Sequence, residues 1–314
     1  MAVILVLGGA GFIGRSVVRS LLDKGHKVTI LDSLDERVHR DREPDIPEGA
    51  SFLRGEVGDL PYAAFMDAEI VIHLAAQVSV ADSAVDPVRY LDQNTIGTAY
   101  MLLDLKRARR LRRIVVASSM SVYGEGGIRV KEDHPVNPTS VYGLSKYDQE
   151  RLCLMWGLQH RTSAAALRFF NVFGPGQALD NPYTGVLANF ANKLLNDEPP
   201  VVFEDGSQTR DFIYVDDVAD AVCTVALSEK PVNGAYNVCT GEATSVLKAA
   251  QLLGHALNKP HIEPHITHQE RPGDIRHCTG NPNKLAQHFG WSSRTPFELG
   301  IKEYGYDLLR RVAV

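Results

Sequence analysis

The sequence predicts an α/β fold in which a doubly wound parallel sheet carries a smaller α/β lobe. Three observations predict it. Short apolar runs rich in Val, Ile and Leu alternate with helical patterns through the first half, and such alternation calls for parallel strands with helices on both faces. The first of these runs ends in glycines that open a helix, the pattern of a Rossmann-like nucleotide domain. Beyond residue 171 the texture becomes turn-rich, with Gly and Pro at 174–176, 181–182 and 198–200.

Taken in order, residues 3–7 form a buried strand and 12–24 have helical spacing. Strands follow at 27–31, 51–54 and 70–74, a long helix at 95–108, and a fifth strand at 114–117. Residues 142–157 read as a helix and 163–168 as a strand. A strand at 211–215, a helix at 216–227 and a strand at 235–238 then resume the first pattern. Helices near 246–257 and 297–309 complete the chain. The expected division is a dinucleotide-binding domain over 1–170 with a returning segment at about 211–240. A substrate-binding lobe is expected over 171–210 and 241–314.

Composition sets limits. The chain has 314 residues, 44% hydrophobic and 23% charged, with a net charge of -5. That balance does not suit a surface for nucleic acid or anionic membrane, and no run approaches the ~20 apolar residues of a membrane span. The basic run at 106–113 follows a helical pattern, and its cations suit a solvated helix end. Cys153, Cys223, Cys239 and Cys278 fit neither a zinc site nor a disulfide framework, so no metal is expected and a reducing cytoplasm is the expected location. The apolar start lacks a basic leader and reads as a strand rather than a signal peptide.

Gly8, Gly11 and Gly14 form G-x-x-G-x-x-G between a strand and a helix. A tight turn and bare N–H groups at a helix start suit a pyrophosphate. Asp32 ends the next strand, 18 residues after Gly14. A carboxylate there would accept from the adenosine ribose hydroxyls and repel a 2′-phosphate, which favours NAD over NADP. Tyr142 and Lys146 form Y-x-x-x-K, one face of a helix. An ammonium near a phenol favours the phenolate, so Tyr142 is expected to take a hydroxyl proton while a hydride leaves the same carbon.

With these residues, the sequence resembles the extended short-chain dehydrogenase/reductases of the NAD-dependent nucleotide-sugar epimerase/dehydratase family. The carrying pieces are the glycine loop, HLAAQVS at 73–79, NTIGT at 94–98, SSMSVYG at 118–124, the Tyr142–Lys146 pair, RFFN at 168–171, RDFIYV at 210–215 and RPGD at 271–274. The resemblance implies cofactor contacts from Gly8, Gly11, Phe12, Ile13, Gly14, Asp32, Glu56, Val57, Leu74, Ala75, Ala76 and Asn94, joined by Tyr142 and Lys146. Glu56 departs from the Asp that the family usually has at the adenine edge. Ser119 resembles the hydroxyl that holds the sugar 4-OH, and Met120 and Ser121 follow it in the sugar site. Asn171 resembles a ligand of the sugar diphosphate, Arg210 and Arg271 the pair that clamps the pyrophosphate, and Asp274 a ribose contact. Guanidinium forks suit a pyrophosphate. A homodimer through the helices at 95–108 and 142–157 is also implied.

The first step implied is oxidation at C4 of a nucleotide sugar. The 4,6-dehydratases of the family carry an Asp-Glu pair after the Ser/Thr, where this chain has Met120 and Ser121. Neither titrates usefully, which favours a 4-epimerase. Glu125 is the nearby carboxylate that would serve an elimination instead. In the family, a small residue at the position of Cys278 admits an N-acetyl group, and Ser79 and Ser83 stand where related enzymes place small polar contacts. The expected substrate is therefore UDP-N-acetylglucosamine. A narrower resemblance, to the tunicamycin-pathway UDP-N-acetylglucosamine 5,6-dehydratase, keeps 5,6-elimination to an exo-glycal open beside 4,6-dehydration. A non-catalytic dinucleotide sensor on the same fold would have lost Tyr142 or Lys146. An NADP-linked reductase would lack Asp32 and the arginine clamp.

Overall fold

A computed structural model describes residues 1–40, 43–179, 185–269 and 275–312. Seven parallel strands form the central sheet in the order Asn233–Val238, Ser163–Phe169, Arg113–Ser119, Ile70–His73, Val3–Leu7, Lys27–Asp32 and Ser51–Arg54. The strand order reverses between Val3–Leu7 and Ile70–His73, and at such a switch point a crevice opens at the carboxyl ends of the strands.

The strands read as unbroken apolar runs because both faces are covered. On one face Val17, Val18 and Leu21 of helix Phe12–Asp23 meet Val218, Val222 and Val225 of helix Val215–Leu227 across the sheet residues Ile4, Val6 and Ile30. On the other, Met101, Leu102 and Leu105 of helix Gly97–Leu105 and Cys153 and Leu154 of helix Val141–His160 cover Leu5, Leu7, Ile114 and Val116. Each such aliphatic side chain contributes about 1.5–3 kcal/mol on burial.

A second core forms the lobe. Helices Val186–Leu195, Val246–Ala256 and Phe297–Val312 pack Phe190, Leu194, Leu253, Ile301 and Tyr304 together with Phe173 and Phe212. Phe212 stacks on Phe297 at 5.0 Å between centroids. A four-stranded sheet, Thr244–Ser245, Thr209–Arg210, His277–Gly280 and Gly127–Val130, stands beside it.

Two expectations change. The helix read over 95–108 is a composite: Pro87–Tyr90, a π-helical turn Leu91–Ile96, then Gly97–Leu105. The basic run begins where that helix ends, but Arg113 is not solvated. It opens a strand, and its buried guanidinium donates to the carbonyls of Val225, Ser228 and Lys230 at 2.5–2.6 Å. It satisfies orphan carbonyls at the end of helix Val215–Leu227.

Candidate active site

A cleft of about 1880 Å³ runs from the glycine loop to the lobe. Gly8, Gly11, Phe12, Ile13, Gly14, Leu74, Ala76, Ser79, Ser119, Met120, Ser121, Tyr142, Lys146, Asn171 and Arg210 all line it. Sequence positions far apart are thus gathered along one groove.

The glycine loop is shaped by contact at one glycine and by open space at another. A Cβ on Gly14 would stand 2.2 Å from the Gly8 carbonyl oxygen, so helix and strand can meet only over a bare backbone. A Cβ on Gly11 would meet only that same oxygen, at 3.4 Å. Gly11 is the N-cap of helix Phe12–Asp23, and no side chain caps it. Open space before uncapped N–H groups fits a dinucleotide pyrophosphate. Asp32 is buried, and its Oδ2 accepts from the Ala10 N–H at 3.0 Å, which ties the carboxylate to the loop. Oδ1 accepts from Leu34 N–H at 3.0 Å, and His39 Nε2 lies 3.7 Å away.

The other cofactor candidates have mixed placements. Leu74 and Ala75 both donate their N–H to the Leu7 carbonyl, which sets the loop after strand Ile70–His73 against the glycine loop. Val57 is partly buried and packs on the core that covers this face of the sheet. Glu56 is exposed, and partial desolvation together with Asp35 and Asp32 pushes its carboxyl up. Asn94 is fully buried and braces the fold. Its Oδ1 accepts from Gln77 N–H at 2.7 Å, and its Nδ2 donates to the Gln77 carbonyl and to Ser145 Oγ. It sits in the π-helical turn, whose wider winding carries that bridge to helix Val141–His160.

Ser119 ends the central strand Arg113–Ser119, and Tyr142 stands in the first turn of helix Val141–His160, capped by Ser140. Ser119 is the side chain that acts on the Tyr142 phenol. Burial pushes the Tyr142 phenol up, and the Ser119 hydroxyl opposes that shift. The expectation that Lys146 lowers the phenol finds another partner in this structure: Nζ donates to Gln149 Oε1 at 2.5 Å. Burial also pushes Lys146 down, to about 7.

Sequence reasoning missed three supports. Tyr90 packs edge-on against the Tyr142 ring at 6.3 Å. Below Ser119, Arg168 forms a fork with Glu150 at 2.6 and 3.0 Å, and Glu150 also accepts from Ser118. This bidentate pair locks helix to sheet under the site. Gln149 is the third, and its i, i+3 spacing from Lys146 was the available signal.

Ser121 N–H donates to Ser119 Oγ at 3.1 Å, and the Ser119 hydroxyl donates to Ser121 Oγ at 3.1 Å. Ser79 caps a short helix by accepting from Asp82 N–H. Ser83 is fully buried and donates to the Val80 carbonyl. Cys278 does not face the cleft. It is buried with Tyr123, Val130, Phe170 and Cys239, and its Sγ lies 3.5 Å from Met120 Sδ, so Met120 forms the wall in front of it. Glu125 is exposed on a glycine-rich turn and is not among the cleft residues. Arg210 donates to the Thr209 carbonyl at 3.0 Å while lining the cleft, and the buried Oδ1 of Asn171 has no partner. Arg271 and Asp274 lie outside the described residues. Among the described residues no cluster of His, Cys, Asp or Glu could hold a metal ion, and no helix is long and apolar enough to cross a membrane.

The model of the NAD dependent epimerase/dehydratase family matches residues 4–239. The chain belongs to that family. It is an NAD-dependent nucleotide-sugar epimerase/dehydratase. A dTDP-L-rhamnose 4-epimerase of Burkholderia thailandensis is 32% identical over 96% of this chain and 93% of its own. A UDP-N-acetylglucosamine 4-epimerase of Methanobrevibacter ruminantium, solved with UDP-N-acetylmuramic acid, superposes with a TM-score of 0.90 at 30% identity, covering 99% of both chains. An NAD-dependent NDP-hexosamine 5,6-dehydratase involved in tunicamycin biosynthesis superposes with a TM-score of 0.86 at 30% identity, again over 99% of both. The two solved structures share this fold, while the activities named among the three are 4-epimerisation and 5,6-dehydration.

Proposed function

We propose that this enzyme interconverts the C4 epimers of a UDP-N-acetylhexosamine, UDP-N-acetylglucosamine first, through a 4-keto sugar. The observation that carries the reading is that Ser119, Tyr142 and Lys146 line one cleft, with the non-titrating Met120 and Ser121 in the two positions after Ser119. Bound NAD supplies the hydride acceptor and donor. Ser119 holds O4, and Tyr142 takes the O4 proton and gives it back. Lys146 holds the nicotinamide ribose and favours the phenolate. The same proton returns to the same oxygen, so no second acid or base is needed.

An elimination needs one. Among the described residues five carboxylates line the cleft, Asp23, Glu43, Asp45, Asp216 and Asp307; none falls in the segment 118–146 that carries Ser119 and Tyr142, and the last three are tied to Arg15 and Arg19, to Ser16, and to Arg311. Room for an N-acetyl group rests on Ser79 and on Cys278, whose small side chain lets Met120 lean back onto it. Arg210 and Asn171, with Arg271, hold the diphosphate of the substrate, and Asp274 its ribose. Residues 1–170, with 211–240, serve the cofactor, and 171–210 with 241–314 the substrate. Likeness to the 5,6-dehydratase favours 5,6-elimination as the second reading.

Proton NMR of UDP-N-acetylglucosamine with the enzyme in deuterium oxide separates them. Epimerisation gives a mixture with the galacto isomer and no deuterium at C5. Vinylic signals, or a new methyl group carrying solvent deuterium, would replace this reading by elimination and make Glu125 the base to test.

A further inference from the structure

Lys146 is buried, and its ammonium reaches a chain of side chains that the proposed chemistry does not use. Nζ donates to Gln149 Oε1 at 2.5 Å. The other end of that amide, Nε2, lies 3.0 Å from both Thr98 Oγ1 and His73 Nε2. Thr98 has one proton, and its Oγ1 stands 2.6 Å from the Asn94 carbonyl, which can only accept. Thr98 is therefore an acceptor toward Gln149. Burial pushes His73 down to about 3, with the Lys146 charge acting in the same direction, so the ring is neutral. Its Nε2 lies 3.0 Å from both Gln149 Nε2 and Thr98 Oγ1, so ring and hydroxyl together pack against the amide, and Nδ1 has no partner.

Every polar atom of the Gln149 amide is thus committed, and the commitments fix its orientation. Turning it over would set N–H groups against Lys146. The chain of contacts also stops at His73 Nδ1, buried and unpartnered, so it offers no route for protons to solvent. It is an anchor. The groups around the ammonium are His73 on its strand, and Tyr142 and the protonated thiol of Cys153 on its own helix. None is an anion, and Gln149 Oε1 is the acceptor within reach of the ammonium.

We propose that Gln149, held by His73 and Thr98, is a positioning residue that keeps Lys146 protonated and fixed in place for Tyr142. The proposal rests on the roles given above to Tyr142 and Lys146. Loss of the acceptor lowers the share of charged Lys146 at neutral pH. A phenolate with less positive charge beside it forms at higher pH, so the acidic limb of the rate profile moves up. A carboxylate at the same position keeps the acceptor, and His73 with its proton on Nε2 can donate to the other oxygen.

The test compares Gln149→Met, of similar length, with Gln149→Glu on the NAD-bound enzyme, using UDP-N-acetylglucosamine turnover from pH 5 to 10. Gln149→Met is expected to lose about 10-fold or more in kcat at pH 7, with KM changed by less than about 3-fold and the acidic limb moved up by about one pH unit. Gln149→Glu is expected to recover most of the rate. If both lose rate equally with unmoved limbs, or neither loses any, the proposal is overturned. Thermal melts and NAD titration accompany both, and a Gln149→Met protein that melts early with an unshifted limb also overturns it. Tyr142→Phe, assayed alongside, reports separately on the underlying reading: full activity there removes that reading whatever Gln149 does.

Discussion

Tyr142 carries the sharpest expectation at the scale of single residues. Burial holds its phenol above the ordinary value near ~10, yet a base working near neutral pH must give up that proton. The opposing influence in the structure is the Ser119 hydroxyl. Because the reactive form is deprotonated, turnover should fall as pH drops through the acidic limb. Tyr142→Phe removes the proton acceptor and little else: kcat should drop ~100-fold or more while NAD affinity stays within a few-fold. Single-turnover assays and calorimetric NAD titration check the two halves. Normal turnover would assign the proton to another group. The spacing of Tyr142 and Lys146 was legible because one helix sets it. Tyr90 and the Gln149–His73–Thr98 chain were not, because their contacts join segments far apart in sequence that only the folded sheet brings together.

Among the elements, the link between Thr209–Arg210 and Phe212–Tyr214 is the telling one. Asp211 lies between them, fully buried, next to the proposed diphosphate ligand Arg210. Its Oδ1 accepts from the N–H and hydroxyl of Thr240, and its Oδ2 from the N–H groups of Gly241 and Gly280. Burial pushes the carboxyl up against those four donors. Asp211→Asn would turn an amide N–H₂ onto donors that need an acceptor. It should cost about 2 kcal/mol or more of stability, seen as a lower midpoint in urea with an unchanged slope. An unchanged midpoint would mean that these hydrogen bonds do not hold the junction. The alternation of strand and helix in the first half was legible because strands covered on both faces are written as continuous apolar runs. The lobe was less so. Thr209–Arg210, Thr244–Ser245 and His265–Ile266 are strands of two residues, too short for any periodicity. The π-helical turn Leu91–Ile96 was hidden for another reason, since its extra residue per turn is paid in hydrogen bonds from Asn94 to Gln77 and Ser145.

At the scale of the whole molecule, two helices leave apolar side chains in water. Ile96, Tyr100 and Leu103, at i, i+4 and i+7, are exposed along one, and Leu144, Met155 and Leu158 along helix Val141–His160. The two helices pack on each other, so the stripes belong to one side of the molecule. Leu158 is 67% exposed and Leu103 58%, and a contiguous apolar patch built from such side chains marks an association surface. A second copy placing the same stripes against these would bury them in an isologous interface. That helix also carries Tyr142 and Lys146, so assembly would stiffen the element on which the proposed chemistry stands. Leu103→Glu with Leu158→Glu places four carboxylates in a twofold interface, where uncompensated charge is costly. The double variant should weaken self-association by ~100-fold or more and sediment as a monomer, with its circular dichroism unchanged. Wild-type protein that sediments as a monomer at micromolar concentration would remove the dimer, and a double variant that still sediments as a dimer would move the interface to another face.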